Sequence, residues 1–390
     1  MTTLRFPLQI KPWSHESSGR CIEEIRTYAV RDRIVSARPA FVRSWTEQDE
    51  TALLDLHRLV SGEGDLCNPE FFDWQYRQNP AGRAFIGVAQ EAGGMIVAQS
   101  AAIPVPFRIL GKRTIVSFAL NSLTHPDYRR QGLFSRCAMK VFEDQIARKI
   151  AYTFSFPTLY SYMGRTHRME FRDFGMPNLL VKLHDPEAFL ADRGVSQEWF
   201  PLVTVGGWVL KAIQKEPHRS QDVEEVDSFH GLSVEKLAEP GKVVLDPDIR
   251  WLNWRYVANP RRRYRIAVAR KSREIAGLVV YGIQNSGLHK WGIIMDLMLS
   301  PEAGIETVES LMYHEFAAKV EEGCSVTLCL TSPGSRKERL LRRCGFWTVP
   351  KRMRSRGIST GALLCRKNIP SAPDLRLDDM DVAFGMHDVL

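Results

Sequence analysis

Residues 125–136 read HPDYRRQGLFSR and set Arg129, Arg130 and Arg136 about one glycine, Gly132. An apolar stretch, IVSFAL, precedes them and an amphipathic one follows. A helix that begins here leaves its first N–H groups unpaired and presents the positive end of its dipole. Gly132 lets backbone amides approach a ligand with no Cβ in the way. Two guanidinium groups, Arg129 and Arg130, add charge at the same place. Crowded charge of this kind is costly alone and favourable around a multiply charged anion. A phosphate, above all a pyrophosphate, is the anion that fits.

The elements around this loop follow from periodicity. FVRSWT reads as a strand and EQDETALLDLHRLV as a helix, with Thr46 as its N-cap and an acidic first turn. AFIGVAQ and MIVAQSAAI read as strands about a polar turn, and PVPFRIL and RTIVSFALNSL flank Gly111-Lys112. A helix then runs to about Lys149, with Phe134, Cys137, Val141 and Phe142 on one face, and IAYTFSF is the next strand. The order β-α-β-β-β-α-β predicts an α/β fold of the α+β kind, built on a mixed sheet.

The chain also repeats itself. WQYRQNPAGRAFIGVAQ from Trp74 and WRYVANPRRRYRIAVAR from Trp254 agree at eight of seventeen positions, at an offset of 180 residues. About one match is expected by chance, and so long a period is that of a whole domain and not of a solenoid. We therefore expect two tandem units: an extension over 1–40, a first unit over 41–182, a connecting segment over 183–221, and a second unit with a C-terminal tail over 222–390. The second unit has no loop like the first. It passes from strand to helix through SPEAG, with acidic Glu302 where a phosphate would want donors. This unit reads as degenerate, shaping an acceptor pocket or packing on the first, with Asp296 a candidate acceptor contact.

Composition narrows the classes. Hydrophobic content of 44% and charged content of 25% are those of a globular chain. No apolar run reaches the ~20 residues of a membrane helix, and the first residues lack the apolar core of a secretory signal. Seven scattered cysteines without a CxxC pair suggest reduced thiols and a cytoplasmic location, and ten histidines without HxxxH suggest no metal. The net charge of +8 favours an anionic partner. Nucleic acid is disfavoured, because the basic runs Arg261–Arg263 and Arg270–Arg273 read as solvated turns. Oligomeric state is not legible.

The loop resembles the acyl-CoA-binding signature of the GCN5-related N-acetyltransferase (GNAT) superfamily: Arg or Gln, two residues, Gly, one residue, then Gly or Ala. Arg129 and Gly132 match, and Phe134 stands where a small residue is usual. The resemblance spans about residues 41–180, and it makes the whole two tandem GNAT-like domains. It implies an N-acyltransferase, with acetyl-CoA or another acyl-CoA as co-substrate and a small-molecule or sugar amine as acceptor. The carrier would be held by Leu123, Thr124, Arg129, Arg130, Gln131, Gly132, Leu133, Phe134 and Ser135, and an amide near Leu123 would polarise the thioester carbonyl. The leaving thiolate would take a proton from Tyr162 or else Tyr160, since a phenol of pKa about 10 suits that task. Asn121 would orient the acceptor or a water. His125 and His167 are weaker candidates for a base, and the terminal carboxylate of Leu390 would be one if the tail reached the site, as in some tandem relatives. Two alternatives stand beside this reading: a FemABX-like aminoacyl transferase, and a non-catalytic binding module.

Overall fold

In the computed structural model, residues 39–185, 217–238, 243–286, 289–350 and 362–386 are described. Strand β1 (Ala40–Ser44) leads to Thr46, whose backbone N–H and hydroxyl donate to Asp49 at 2.7 and 3.1 Å. This acidic cap starts a short turn and then helix α1 (Glu50–Ser61), as the sequence suggests. Helix α2 (Pro69–Tyr76) was not legible from periodicity. Phe71, Phe72, Trp74, Gln75 and Tyr76 are all buried, so in eight residues only Glu70 and Asp73 mark a polar edge, too short a stripe to show a period. Asn68 caps it, accepting from the Phe71 amide at 2.9 Å.

An antiparallel meander follows: β2 (Phe85–Glu91), β3 (Ile96–Ile109) and β4 (Lys112–Thr124). PVPFRIL is not a separate strand but the second half of β3. Pro104 and Pro106 are tolerated there because both face away from β4. Their carbonyls accept from Asn79 Nδ2 at 2.8 Å and the Asp246 amide at 2.9 Å, so no ladder N–H is demanded on that side. Helix α3 (Leu133–Ala147) packs on the sheet and β5 (Tyr152–Ser155) runs parallel to β4. Helix α4 (Leu159–Arg168) and strands β6 (Arg172–Asp173) and β7 (Asn178–Leu183) end this half.

The second half repeats the plan. Strands β8 (Asp222–Val226) and β9 (Val243–Leu245) precede helix α5 (Ile249–Leu252). Its cap, Asp248, lies 180 residues beyond Asn68 and accepts from the Arg250 and Trp251 amides. Next come β10 (Tyr264–Lys271), β11 (Glu274–Ser286), β12 (His289–Leu299), helix α6 (Ile305–Glu321), β13 (Cys324–Thr331), helix α7 (Arg336–Arg343), β14 (Trp347–Thr348) and β15 (Leu364–Lys367). The repeated tryptophans meet. Trp74 and Trp254 stack with ring centroids 4.8 Å apart, and each indole N–H donates to the other's carbonyl, at 2.9 and 3.0 Å. The contact is reciprocal because each half presents the same indole and carbonyl to the other.

The two mixed sheets exchange strands. One runs β1-β2-β3-β4-β5-β15-β6, with β9 also on β3, and the other runs β14-β7-β13-β12-β11-β10-β8. Thus β15, late in the chain, lies between β5 and β6, while β7 from the first half lies between β13 and β14. Ion pairs join the halves as well. Asp246 takes Arg108 and Arg113, each at 2.6 Å, and Asp65 takes Arg261 at 3.0 Å and Arg262 at 2.6 Å. Arg270 pairs with Glu224 at 2.6 Å. The basic runs therefore spend charge within the fold.

Trp74→Ala should lower the unfolding free energy by about 3–5 kcal/mol, the usual cost of deleting a buried aromatic ring. Trp254→Ala should cost a similar amount. The double variant, followed by urea denaturation, should lose less than the sum, since both substitutions delete one shared stack.

Candidate functional site

The site begins at a flaw in β4. Its register with β3 slips between Gln99 and Ala101, opposite Asn121 and Ser122, and Asn121 takes a φ of 45°. The Asn121 amide donates to Gln75 Oε1 at 2.9 Å and Tyr76 Oη at 2.8 Å, and its carbonyl accepts from Gln99 Nε2 at 2.9 Å. Gln99 is also 2.9 Å from buried His57, whose pKa burial pushes down to about 4. Asn121, expected to orient an acceptor, has its side chain engaged in fixing this bulge. The bulge matters because β4 pairs with β5 only at Ser117–Thr153 and Phe118–Phe154. Beyond Phe118 the strands part, and β4 runs on through Leu123 and Thr124 into the loop.

Pro126–Tyr128 form a short turn, and the His125 ring nitrogen accepts from the Asp127 amide at 3.2 Å, so this histidine caps a turn. Arg129 and Arg130 are exposed, and Arg129 Nε donates to the Thr124 carbonyl at 3.3 Å. Gly132 has φ 72° and ψ 9°, a left-handed backbone that favours glycine, and a Cβ built on it would meet nothing within 4 Å. Helix α3 then begins with no side-chain cap and no acid in its first turn. Its first ladder bond runs from Arg136 to the Gly132 carbonyl, so Leu133, Phe134 and Ser135 carry the N–H groups of the unladdered turn. The buried Gln131 Nε2 has no hydrogen-bond partner. N–H donors grouped in this way could hold an anion.

Phe134 points its bulk elsewhere. A Cβ on Gly164 of α4 would come within 2.9 Å of the Phe134 ring, so ring and glycine fit each other across the two helices. Next to Gly164 is Arg165, only 3% exposed, with its guanidinium 5.5 Å from the Phe134 ring centre. Sequence reading passed over Arg165. It stands with His167 and Arg168 in a basic last turn, which the helix dipole alone explains.

Tyr162 is half-buried and donates to Asp173 at 2.6 Å. That bond, with burial, pushes its pKa up to about 12, so the phenol stays protonated through neutral pH. Tyr160 lies in the first turn of α4, and its side chain is outside the described residues. His167 is exposed on the same helix. Glu170 closes the helix with φ 56°, a left-handed conformation usually given to glycine.

The second half has closed the matching place. β12 pairs with β13 only as far as Ile294–Cys329, then parts from it. The tail lies along this opening. Ser332 Oγ donates to the Met380 carbonyl at 2.5 Å and accepts from the Val382 amide at 3.1 Å, Asp381 pairs with Lys337, and Met380, Val382, Phe384 and Met386 are buried. Asp296, expected as an acceptor contact, is 4% exposed and accepts from the Tyr256 hydroxyl, while a Cβ on Gly385 would overlap both groups. Arg336 holds the carbonyls of Ser300 and Ala303 ahead of α6, and Glu306 is an acid in the first turn of that helix. Leu390 lies outside the described residues.

Burial lifts the Asp296 pKa from 3.8 to about 6, against the Tyr256 hydrogen bond and the Lys337 charge, which lower it. Between these values the folded chain holds a proton that the unfolded chain has released. The Asp296 contribution therefore becomes less favourable as pH rises from about 4 to 6, and stays so above. Asp296→Asn, which keeps an acceptor for Tyr256, should be more stable relative to the parent at pH 7 than at pH 4 when urea midpoints are compared.

Residues 41–167 match the family model for the acetyltransferase (GNAT) domain. The match places a GNAT acetyltransferase domain in the first half, within a fold of two mixed sheets. Its fold is similar to that of a GCN5-related N-acetyltransferase from Anabaena variabilis: TM-score 0.58, 11% identity, 85% of this chain and 73% of that one. A conserved Enterococcus faecalis protein described as a probable N-acyltransferase gives 0.55 and 10%, over 84% and 72%. Saccharomyces cerevisiae N-myristoyltransferase with bound myristoyl-CoA gives 0.52 and 10%, over 86% and 83%. No curated protein sequence matches the chain.

Proposed function

We propose that the first half binds acetyl-CoA or another acyl-CoA and passes its acyl group to the amine of a small molecule or sugar. One observation carries this reading: the uncapped, acid-free start of α3 behind left-handed Gly132, beside the place where β4 leaves β5. The diphosphate would lie against the amides of Gln131 to Ser135, with Arg129 and Arg130 at the rim. The pantetheine arm would run between the parted strands, along Leu123 and Thr124. An amide near Leu123 would then stabilise charge on the thioester oxygen as the amine attacks. The C–N bond forms, the C–S bond breaks, the thiolate takes a proton from Tyr162 or Tyr160, and the proton shed by the amine nitrogen passes through water to restore that phenol. Tyr162 arrives protonated, and to donate it must turn its hydroxyl from Asp173.

Isothermal titration should show micromolar acetyl-CoA binding. Gly132→Glu should abolish it, because a side chain strains the left-handed backbone and its carboxylate repels the diphosphate. No binding by the parent would leave an aminoacyl donor as the better reading, and binding without transfer to any amine would leave a binding module. If Tyr162 is the acid, Tyr162→Phe should lower kcat by about 10²–10⁴-fold with the KM for acetyl-CoA little changed. An unchanged kcat would pass the role to Tyr160.

A further inference from the structure

Arg165 is a buried cation, 3% exposed, with hydrogen bonds left unmade. Its Nη2 lies 3.4 Å from Ser122 Oγ, while Nε and Nη1 are buried without a hydrogen-bond partner. Its guanidinium lies 5.5 Å from the ring centres of both Phe134 and Phe171. No carboxylate among the described residues pairs with it. Burial pulls its pKa down to about 10, so it stays charged at neutral pH. Lys319, Lys337 and Arg366 are also buried, and each reaches an acid: Glu322 at 3.1 Å, Asp381, and Glu170 at 3.4 Å. A buried charge with unmade hydrogen bonds is among the more destabilising features a fold can keep. Two aromatic faces offset part of that cost.

Position gives the charge its purpose. Ser122 belongs to the bulge where β4 leaves β5, and Phe134 is the second residue of α3. The guanidinium thus lies beneath the same helix start as the amide cradle, on the inner side, where Arg129 and Arg130 are on the outer. We infer that Arg165 is a further binding residue for the diphosphate of the acyl-CoA, its free nitrogens meeting the anion once the ligand has entered between β4 and α3. This rests on the acyl-CoA reading above and deepens it. Charge in this low-dielectric place acts more strongly than the exposed arginines can. It also explains Phe134: the ring in place of a small residue shields the cation, and Gly164 makes room for that ring.

Arg165→Met keeps the aliphatic stem and removes the charge, and Arg165→Lys keeps the charge without the fork. Melting curves should be combined with titration of coenzyme A, inorganic pyrophosphate and phosphate-free pantetheine. Arg165→Met should melt no lower than the parent without ligand. It should bind coenzyme A and pyrophosphate about tenfold or more weakly, the value of a charge-assisted hydrogen bond. Pantetheine binding should not change, and Arg165→Lys should fall between. A variant that melts lower and binds coenzyme A like the parent overturns the inference and makes Arg165 structural. So does one whose only defect is a raised KM for the amine. A parent that binds neither coenzyme A nor pyrophosphate removes the acyl-CoA reading, and this inference with it. Should Arg165→Met not fold, the Nε–H resonance of Arg165 in the ¹⁵N-labelled parent decides: it should shift when pyrophosphate is added, and a fixed resonance is contrary to the inference.

Discussion

A sheet can accept a ligand within its own plane only where two neighbouring strands part, and each part of this molecule depends on that constraint. In the first half the parting is made by the bulge at Asn121, pinned by Gln75, Tyr76 and Gln99. A strand that diverges leaves peptide groups without a ladder partner, and they must be satisfied otherwise. The second half meets the same demand with its own tail, through Ser332 and buried side chains from Met380 to Met386. One opening is thus filled by the chain, and the other faces the left-handed glycine that opens α3.

The two helix starts differ in sign in the same way. α3 follows a left-handed glycine and has no acid in its first turn, whereas α6 has Glu306 there and its preceding carbonyls are held by Arg336. A dipole end that is neutralised locally has little left for a phosphate. Degeneration of the second half is therefore a matter of satisfied valences, with the backbone plan kept.

What the sequence disclosed and what it withheld have physical causes. The helix after Gly132, the Thr46 cap and the meander were legible because period and capping act over a few residues. The repeat was legible as identity, but the contact between Trp74 and Trp254 joins residues 180 apart and needs the fold. Helix α2 was hidden by its shortness, with five of its eight residues buried. Arg165 was hidden by its neighbours, because a basic last turn is ordinary and only the packing of Phe134 and Phe171 shows this arginine to be inside.

The traded strands bear on why the two halves stay together. β15 supplies the neighbour of β5, and β7 supplies the neighbour of β13. Removing residues 217–386 would bare the edge of β5 and strand β7 in water with no sheet to join. Neither half can be discarded by itself, since each borrows part of its backbone from the other.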